Sequence, residues 1–383
     1  MRILTVCERL YPDTSGGPSF SVYVHNKHLS RNDIRVTTLT TAHGVPSHLA
    51  NRWIENESGR VIYLKQAFHP LPLRLIARAA REIRHADIVH VNSFFYPSSA
   101  CIALMALLRG KKVVWTIHGE LDDACVNIKK FKKKPYLFLV RPLAKKVAAI
   151  HVTSDAEEAY ARKHLGGNIT TIKIPILMEC EPQVREPETE PEPYFLYVGR
   201  FHLKKGIDQL IKAVYQSALF LKSGFTLKLA GDYDNAYGKK IMSLIKKAGL
   251  QTKVKLLGPK VGAEKERLYK KAYFTVMPSI TENFGMVAAE SLSFGTPVIT
   301  THGTPWRILE EEHCGYYVEG SAASLRDAIE AAITMPSEDY STFRVNAART
   351  VNSSFNITTR INDWIKTYKS LLQENQPMPE GTF

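Results

Sequence analysis

Short apolar runs alternate with helical patterns along the first half of the chain. The runs predict buried strands and lie at 2–7, 34–40, 61–64, 88–91, 113–117, 149–153 and 171–174. Patterns with helical spacing separate most of them, notably at 19–30, 73–84, 96–108 and 155–165. Strands that alternate with helices in this way predict a parallel sheet with helices on both faces.

The same alternation restarts in the second half. Predicted strands lie at 194–198, 226–230, 254–257, 274–277, 298–300 and 316–318. Predicted helices lie at 207–219, 239–248, 265–272 and 306–311, followed by 325–333, 340–351 and 359–372. The pattern therefore predicts two successive doubly wound α/β units.

An acidic, proline-rich run separates the two halves. Residues 179–193 read ECEPQVREPETEPEP, a composition that cannot form a core and is typical of an inter-domain linker. We therefore expect a first domain at 1–178, a second at 194–355 and a final helical segment at 356–376. The length of 383 residues also favours two domains, because it exceeds what one hydrophobic core usually covers.

Hydropathy and cysteine usage are typical of a cytoplasmic protein. The first residues, MRILTVCERL, contain an apolar run too short for a signal peptide, and no stretch approaches the ~18 apolar residues of a membrane span. The five cysteines are scattered without metal-ligand spacing, so we expect reduced thiols at Cys7, Cys101, Cys125, Cys180 and Cys314.

The net charge of +14, from 51 basic and 37 acidic residues, favours an anionic partner. Part of that charge lies at 127–146, NIKKFKKKPYLFLVRPLAKK, where Lys and Arg stand beside aromatic and aliphatic side chains. Such a segment can lie on an anionic membrane, or it can be a solvated helix that covers the first domain. Pro135 and Pro142 are expected to break a continuous helix there.

The stretch 279–299, SITENFGMVAAESLSFGTPVI, places two carboxylates around the start of a predicted helix. Asn283 is a plausible N-cap, and Gly295 with Pro297 would end the helix. Glu282 then precedes the first turn and Glu290 lies on the second, at most ~12 Å away at 1.5 Å per residue.

The backbone amides near Phe284 and Gly285 lie between these acids, at the positive end of the helix dipole, which is a ready anion site. A nucleotide sugar matches the arrangement, because it has hydroxyls at both ends and phosphates in the middle. The flanking strands place this helix start at the carboxyl end of a strand, where α/β sheets bind ligands. The alternative is an amphipathic helix with one solvated acid at each end.

Two cations fall in one strand-to-helix loop at the start of the second half. Arg200 and Lys205 lie in YFLYVGRFHLKKGID and could clamp a diphosphate by charge-assisted contacts. The alternative is a solvated basic turn.

Two further motifs carry weaker signals. Gly16 and Gly17 follow the first strand but lack the full G-x-G-x-x-G, so on these residues alone an ordinary tight turn is the better explanation. Asp232 and Asp234 form a D-x-D string, but their position in a βα loop argues against a metal site.

The motifs of the second half together resemble those of the retaining glycosyltransferases of family GT4. They are G-R-x4-K-G-x-D at 199–208, Ala230-Gly231-Asp232, Gly258-Pro259 and P-S-x2-E-x-F-G-x4-E-S-x3-G-x-P-V-I at 278–299. The resemblance is looser in the first half. It implies the α/β GT-B fold, in which two Rossmann-like domains face each other across a cleft and the last helix crosses back to the first domain.

The resemblance also implies roles for individual residues. Arg200 and Lys205 would hold the nucleotide diphosphate, Glu282 would contact the transferred sugar, and Glu290 would bind the ribose. The remaining donor-binding positions implied are Gly16, Gly17, Pro259, Lys260, Val261, Asn283, Phe284, Gly285 and Met286, with Pro259 to Val261 beside the base.

His118 matches a histidine that lies near the donor sugar in that family, although a lone histidine after a strand is more often a packed or surface residue. The string His118-Gly119-Glu120-Leu121 resembles a bacterial subset that assembles surface polysaccharides. The chain departs from many members at Pro305-Trp306, where they have Pro-Glu.

We therefore expect a cytoplasmic hexosyltransferase that needs no metal cofactor, since fixed cations take that role. It would use a UDP- or GDP-sugar and a glycan or lipid-linked glycan acceptor, with retention of configuration. The expected setting is bacterial lipopolysaccharide, O-antigen, capsule or exopolysaccharide synthesis, with the basic segment 127–146 leaving open a peripheral site on the inner face of the plasma membrane.

Two other functions remain in view. A GT-B-type nucleotide-sugar epimerase would share the nucleotide site but would need no acceptor. A basic nucleic-acid-binding protein would explain the charge, yet no zinc module, aromatic RNA-binding motif or helix-turn-helix pattern is present in the sequence.

Overall fold

The computed structural model describes residues 1–12, 17–66, 72–180 and 190–373. The chain forms two compact units, Met1–Glu179 with Ile357–Phe383, and Cys180–Asn356. Gly16 and residues 181–189 of the predicted linker lie outside the described residues.

The first unit contains an eight-stranded sheet with the order β3-β4-β2-β1-β5-β6-β7-β8. Its strands are β1 (Arg2–Val6), β2 (Arg35–Thr41), β3 (Trp53–Asn56), β4 (Gly59–Leu64), β5 (Ile88–Asn92), β6 (Lys112–Thr116), β7 (Ala149–Val152) and β8 (Thr171–Lys173). Its helices are α1 (Gly17–Arg31), α2 (Leu73–Glu82), α3 (Pro97–Leu108), α4 (Asp123–Asn127), α5 (Lys130–Ala144) and α6 (Asp155–Leu165). Strands β1, β5 and β6 are buried over nearly their whole length, as strands covered on both faces must be.

Strand β3 was not predicted, and it makes the sheet mixed rather than parallel throughout. It pairs antiparallel with β4, from Trp53 opposite Ile62 to Asn56 opposite Gly59. The guanidinium groups of Arg60 and Arg78 lie 3.9 and 4.7 Å from the centre of the Trp53 ring. The strand has only four residues and lies at the edge of the sheet, so its sequence shows no apolar alternation that would predict it.

The final helix, α15 (Ile357–Gln373), is part of the first unit. The Trp364 ring lies 4.7 Å from the ring of His25 and 5.4 Å from that of His90. The Tyr368 hydroxyl is 2.7 Å from Nδ1 of His90. The helix thus covers one face of the sheet through buried aromatic side chains.

The second unit has an all-parallel six-stranded sheet with the order β11-β10-β9-β12-β13-β14. Its strands are β9 (Tyr194–Val198), β10 (Thr226–Ala230), β11 (Val254–Gly258), β12 (Phe274–Met277), β13 (Val298–Thr301) and β14 (Gly315–Val318). Its helices are α7 (Ile207–Gln216), α8 (Ala218–Lys222), α9 (Ala236–Lys247), α10 (Gly262–Lys271), α11 (Met286–Ser293), α12 (Ile308–Glu311), α13 (Ala322–Ile333) and α14 (Ser337–Ser354).

Each helix of this unit differs by a few residues from its predicted bounds. The helix predicted at 207–219 divides into α7 and α8, because Ser217 leaves the helical conformation and its hydroxyl accepts the Phe220 N–H at 3.0 Å. The helix predicted at 306–311 begins only at Ile308.

The two ends of the predicted linker are each bound to a unit. In the first unit, the Glu179 carboxylate accepts from Lys27 at 3.0 Å. In the second, the Glu192 carboxylate accepts from Lys228 at 3.2 Å and from Lys271 at 2.7 Å.

The prediction that prolines break the basic segment is wrong, because α5 contains both Pro135 and Pro142. The carbonyls that these prolines leave without an intrahelical donor belong to Phe131 and Phe138, four residues earlier. Both residues lie on the exposed face of the helix, where water can hydrate a freed carbonyl.

Each sheet reverses its strand order at one place. In the second unit, β9 lies between β10 and β12, and in the first unit β1 lies between β2 and β5. Loops that leave two neighbouring strands in opposite directions open a crevice at the carboxyl edge of the sheet, where α/β proteins bind ligands. This topology selects the loops after β9 and β12, and those after β1 and β5, as candidate sites.

Candidate active site

The loops after β9 and β12 meet through an ion pair between the Lys205 ammonium and the Glu282 carboxylate. The Ser279 hydroxyl donates to the same oxygen of Glu282 at 2.7 Å. Lys205 and Glu282 are 22% and 15% exposed, so the pair is partly shielded but open to a ligand. The structure therefore brings together two predicted site residues that are 77 positions apart in the sequence.

Backbone contacts set the position of this pair. The Ile280 N–H donates to the Lys204 carbonyl at 2.8 Å, and the Glu282 N–H donates to the Gly303 carbonyl at 2.9 Å. Gly206 adopts φ of 62°, and a Cβ there would lie 2.0 Å from the Pro278 carbonyl oxygen. Only glycine fits at this close approach of the two loops.

Helix α11 begins at Met286, one residue after Gly285, which has φ of 81°. The prediction that Asn283 caps this helix is therefore wrong, since Gly285 occupies the N-cap position and no side chain caps the helix. The first N–H groups of the helix have no carbonyl partner within it, which leaves them able to bind an anion.

Trp306 fixes the backbone at Phe284, and the helix begins after Gly285 rather than after Asn283. Its indole N–H donates to the Phe284 carbonyl, and the two rings lie 5.2 Å apart. Phe284 and Trp306 are both buried, with the Phe355 ring 4.9 Å from that of Trp306. The position at which this chain departs from the family pattern thus holds the loop between Glu282 and α11.

Glu290 lies on the second turn of α11 and is bound on both oxygens. Its Oε1 accepts from the Lys265 ammonium at 2.9 Å, and its Oε2 accepts from the Tyr269 hydroxyl at 2.8 Å. Lys265 and Tyr269 are one helical turn apart on α10, so they face α11 together. Neither residue was predicted as a site residue. The sequence does show that they are four positions apart and follow the loop 259–261.

Arg200 lies two residues after the end of β9 and is exposed to solvent. Its carbonyl accepts from the Tyr197 hydroxyl at 2.9 Å, which holds the start of the loop. Burial raises the pKa of Tyr197 far above its usual value, and the nearby Glu282 carboxylate raises it further, so this hydroxyl stays a donor.

Pro259, Lys260 and Val261 form the loop between β11 and α10. Strand β11 lies two strands from β9, about 10 Å at the usual strand spacing. The Val261 side chain is 78% exposed, and the Lys260 ammonium pairs with Glu264 at 3.2 Å. The loop therefore lies at the carboxyl edge of the same sheet as the loop that carries Lys205.

In the first unit, His118 follows β6 and adopts φ of 47°. Its Nε2 is 3.0 Å from the Asn92 side-chain oxygen, and burial lowers its pKa to about 3, so the ring is neutral. Gly17 is the first residue of α1. The role near the donor sugar that the resemblance implies for His118 stays a prediction.

A buried carboxylate supports the turn at His118. Glu157 accepts from the Gly119 N–H with one oxygen, and from the Thr153 N–H and hydroxyl at 2.6 and 2.7 Å with the other. Glu157 was not predicted, because its place as the third residue of α6 is typical of a simple capping acid.

The D-x-D string forms a local turn, in which an Asp232 carboxylate oxygen accepts from the Asp234 N–H at 2.9 Å. Across the described parts of the chain, no group of three His, Cys, Asp or Glu side chains is placed to hold a metal. Within the same residues, no helix has both the length and the apolar character to cross a bilayer.

The fold is that of a two-unit α/β protein, and the Lys205–Glu282 pair lies where the strand order of the second unit reverses. The model of the family "Glycosyl transferases group 1" matches residues 181–350, and that of "Glycosyltransferase Family 4" matches residues 15–176. The chain belongs to these GT4-type glycosyltransferases of the GT-B fold, and it is a hexosyltransferase. The predicted family, fold class and enzyme class are confirmed.

Two relatives illustrate the similarity, one over most of the chain and one over less than half of it. The GDP-mannose:cellobiosyl-diphosphopolyprenol alpha-mannosyltransferase of Xanthomonas oryzae is 26% identical over 341 residues, which cover 87% of this chain and 85% of that protein. The D-inositol 3-phosphate glycosyltransferase of Pseudarthrobacter chlorophenolicus is 30% identical over 174 residues, 44% of this chain and 41% of that one.

Solved structures share the fold. Sucrose-phosphate synthase of Thermosynechococcus elongatus has a TM-score of 0.73 at 21% identity and covers 98% of this chain and 100% of its own. HepE of Anabaena, solved in complex with UDP, has a TM-score of 0.76 at 19% identity, with 97% and 100% coverage.

Proposed function

We propose that this enzyme transfers a hexosyl unit from a UDP- or GDP-sugar to a hydroxyl of a glycan or lipid-linked glycan, with retention of configuration. The observation that carries the proposal is the Lys205–Glu282 pair, which lies where the strand order of the second unit reverses and just before the amino end of α11. The Lys205 ammonium can bind a phosphate, and the Glu282 carboxylate can accept a hydrogen bond from a sugar hydroxyl.

In this proposal the nucleotide lies along the carboxyl edge of the second unit's sheet. The diphosphate binds Lys205, Arg200 and the free amides at the start of α11, near Gly285 and Met286. The ribose binds Glu290, whose carboxylate keeps free lone pairs beside its bonds to Lys265 and Tyr269. The base lies against the loop 259–261.

The ion pair gives both of its members a partner before the donor binds. When the donor enters, the Lys205 ammonium turns to the diphosphate and the Glu282 carboxylate accepts hydroxyls of the sugar. The exchange avoids leaving a partly buried charge unpaired in either state, which would cost about 1 to 3 kcal/mol. Ser279 keeps Glu282 oriented throughout.

Catalysis would be electrostatic. The bond between the anomeric carbon and the diphosphate oxygen breaks, and negative charge builds up on the leaving diphosphate. Arg200 and Lys205 neutralise that charge, so no metal ion is required. The acceptor oxygen forms its bond on the face that the diphosphate leaves, while a phosphate oxygen takes its proton, and the anomeric configuration is retained.

The names of relatives support a lipid-linked acceptor in bacterial polysaccharide synthesis. The Xanthomonas protein is named for GDP-mannose as donor and cellobiosyl-diphosphopolyprenol as acceptor. We therefore propose an acceptor of that chemical class, a glycan on a polyprenyl diphosphate.

The surface of α5 supports a peripheral place on an anionic membrane. Phe131, Phe138 and Leu139 are 85%, 74% and 73% exposed. They lie opposite the buried face formed by Leu137 and Val140. Exposed basic residues flank the apolar face: Lys132, Lys134, Arg141, Lys145 and Lys146. An apolar strip with basic borders is the pattern of an interfacial helix, each cation adding ~1 kcal/mol near an acidic surface.

Product analysis tests the transfer reaction. The purified enzyme is incubated with UDP- and GDP-hexoses, with and without a synthetic disaccharide-diphosphoprenol, and products are separated by mass and NMR. Transfer only when the acceptor is present, with retained configuration, supports the proposal. An altered nucleotide sugar formed from donor alone would instead show an epimerase.

A binding screen separates the nucleic-acid alternative. UDP and GDP should raise the thermal unfolding temperature, whereas binding of random duplex DNA without any nucleotide effect would contradict the proposal.

Sedimentation with vesicles tests the membrane surface. The wild type should sediment with vesicles rich in phosphatidylglycerol at low salt, and a variant with Phe131→Ser, Phe138→Ser and Leu139→Ser should not. Tyr215→Ser, which removes a 56% exposed ring in the second unit, is the matched control. Equal sedimentation of the triple variant and the control would contradict this part of the proposal.

A further inference from the structure

Tyr269 on α10 holds the Glu290 carboxylate from inside the protein. Its hydroxyl donates to Oε2 of Glu290 at 2.8 Å, while the Lys265 ammonium binds Oε1 at 2.9 Å. Tyr269 is 0% exposed, whereas the Glu290 side chain is 23% exposed. A ligand at this site can therefore touch Glu290 but not Tyr269.

The position of Tyr269 is fixed by the packing of α10 against α11. Its ring lies nearly parallel to that of Phe294, with the ring centres 6.0 Å apart and the planes at 18°. Val287 of α11 packs against the same buried cluster. The Tyr269 carbonyl accepts from the Thr296 hydroxyl at 2.6 Å. Phe294 and Thr296 follow the end of α11, so Tyr269 is bound to the helix that carries the carboxylate.

Two other buried tyrosines of this unit use their hydroxyls differently. The Tyr194 hydroxyl donates to the Leu268 carbonyl at 2.7 Å, and the Tyr340 hydroxyl donates to the Tyr273 carbonyl at 2.8 Å. Those bonds satisfy a buried hydroxyl within the fold. Tyr269 differs because its acceptor is a side-chain carboxylate that solvent and ligands can reach.

The two protein donors determine which lone pairs of Glu290 stay open. A carboxylate has two lone pairs on each oxygen, and Lys265 and Tyr269 each occupy one. One lone pair therefore remains on each oxygen. Two acceptors on neighbouring oxygens match two hydroxyls on adjacent carbons, such as the 2′ and 3′ hydroxyls of a ribose.

The Tyr269 hydroxyl remains a donor at any pH at which the protein is folded. Burial raises the pKa of Tyr269 far above its usual value, and the neighbouring Glu290 carboxylate raises it further. The bond to Glu290 therefore exists before a ligand arrives. Ordering a free flexible side chain on binding would weaken affinity by about two- to tenfold, and a carboxylate that is already ordered avoids this loss.

We propose that Tyr269 is a positioning residue for the nucleotide: with Lys265 it orients the Glu290 carboxylate, so that its two open lone pairs meet the vicinal hydroxyls of the ribose. The proposal rests on the proposed function, which assigns the ribose to Glu290. It goes beyond that function because it attributes affinity, and preference for a ribonucleotide, to a residue that does not touch the ligand.

Tyr269→Phe removes the hydroxyl and keeps the ring and the net charge. Calorimetric titration with UDP and GDP should show an affinity about two- to tenfold below that of the wild type for the nucleotide that binds. The matched control is Tyr340→Phe, which removes the hydroxyl of a 7% exposed tyrosine of the same unit and should leave nucleotide affinity unchanged. Wild-type affinity in Tyr269→Phe, or an equal loss in both variants, would overturn the proposal.

The preference for ribose is a readout that a merely structural role would not change. The wild type should bind the ribonucleotide about tenfold more tightly than its 2′-deoxy analogue, as expected for one hydrogen bond to a carboxylate. In Tyr269→Phe this ratio should become smaller, because the carboxylate is no longer held for the diol. A lower affinity for both nucleotides at an unchanged ratio would show a structural role and overturn the proposal.

A double-mutant cycle tests whether Tyr269 acts through Glu290. In a Glu290→Ala background, Tyr269→Phe should cause no further loss of nucleotide affinity, because the carboxylate that it orients is gone. Additive losses would contradict the proposal.

The wild-type protein distinguishes this proposal from the proposed function. Nucleotide binding and transfer by the wild type, with wild-type affinity and ribose preference in Tyr269→Phe, would refute the role of Tyr269 alone. Binding of neither UDP nor GDP by the wild type would refute the proposed function and this proposal with it.

Discussion

The indole N–H of Trp306 donates to the carbonyl of Phe284, and this hydrogen bond holds the chain at the point where it enters α11. The following residue, Gly285, has φ of 81°, and a Cβ there would lie 2.9 Å from the Met277 sulfur. A buried aromatic contact on one side and a glycine on the other thus set the amino end of the helix that we assign to the diphosphate.

Trp306→Phe should therefore weaken both the fold and the donor site. It keeps an aromatic ring but leaves the Phe284 carbonyl unpaired in a buried place, which costs about 1 to 3 kcal/mol in the free energy of unfolding. Urea unfolding of the second unit measures this loss, and calorimetric titration should show weaker UDP or GDP binding. Trp53→Phe, in the first unit, is the control, and equal nucleotide affinity in both variants would contradict the account.

Glu290→Gln should weaken nucleotide binding about tenfold through loss of a charge-assisted hydrogen bond to the ribose. It also leaves the Lys265 ammonium without its carboxylate at 2.9 Å. The matched control is Glu266→Gln, which changes an exposed carboxylate on α10. Calorimetric titration with UDP and GDP measures the nucleotide affinity of both variants. A similar loss of affinity in the control would contradict a specific contact between Glu290 and the ribose.

Acid should destabilise the first unit. Burial lowers the pKa of His25 to about 3, that of His118 to about 3 and that of His151 to about 4. These rings stay neutral in the folded state while the unfolded chain takes up protons below pH ~6.5. Their contribution is thus fully favourable above that pH and is lost as the pH falls, by up to ~1.4 kcal/mol per pH unit for each ring.

Hydrogen exchange from pH 7.5 to 5 checks this, with the peptides of β5 and α15 compared with those of β9. His151→Gln should flatten the pH dependence of the first unit by about one proton. A wild-type pH dependence in that variant would exclude His151 as one of the groups responsible.

Glu8→Gln should stabilise the first unit at pH 8 and change it little at pH 5. Burial raises the pKa of Glu8 to about 7, Glu120 adds to the rise and Arg9 opposes it. The carboxylate is therefore unfavourable above pH 7, and its cost fades as the pH falls towards the unfolded value near 4.5. Since water screens its exposed side, the expected gain is roughly 1 to 2 kcal/mol.

Thermal unfolding at the two pH values measures this effect, and Glu55→Gln, which changes a 77% exposed carboxylate of the same unit, is the control. A loss of stability at pH 8 would instead show that Glu8 supports the fold.

Several strands could be predicted from the sequence because the residues at their ends are themselves informative. Strands 194–198, 226–230 and 274–277 have the predicted bounds, since each is a buried apolar run followed by a glycine or proline within two residues. Strand β3 could not be predicted from the sequence, because only its pairing with β4 defines it. The helix that contains Pro135 could not be predicted either. The free-energy cost of a proline inside a helix depends on whether water can hydrate the carbonyl that loses its hydrogen bond.

The site was predictable as a set of residues but not as a set of contacts. Lys205 and Glu282 were each placed at the carboxyl end of a strand, yet their contact depends on β9 and β12 being neighbours, which the order of strands along the chain does not reveal. The same holds for Glu290 with Lys265 and for Phe284 with Trp306. The sequence shows the i, i+4 spacing of Lys265 and Tyr269, but it does not show that they meet Glu290, because such contacts depend on the tertiary structure.

The central claim is that the Lys205–Glu282 pair opens to bind a sugar diphosphate. Lys205→Met keeps the length of the side chain and removes its charge, so turnover with the best donor should fall by a factor of about 100 or more, as expected for removal of one charge that stabilises the leaving group. The affinity for UDP or GDP should fall with it, and circular dichroism should show that the fold is kept, with a loss of about 1 to 3 kcal/mol in the free energy of unfolding because Glu282 loses its cation. Wild-type turnover and nucleotide affinity in this variant would contradict the account.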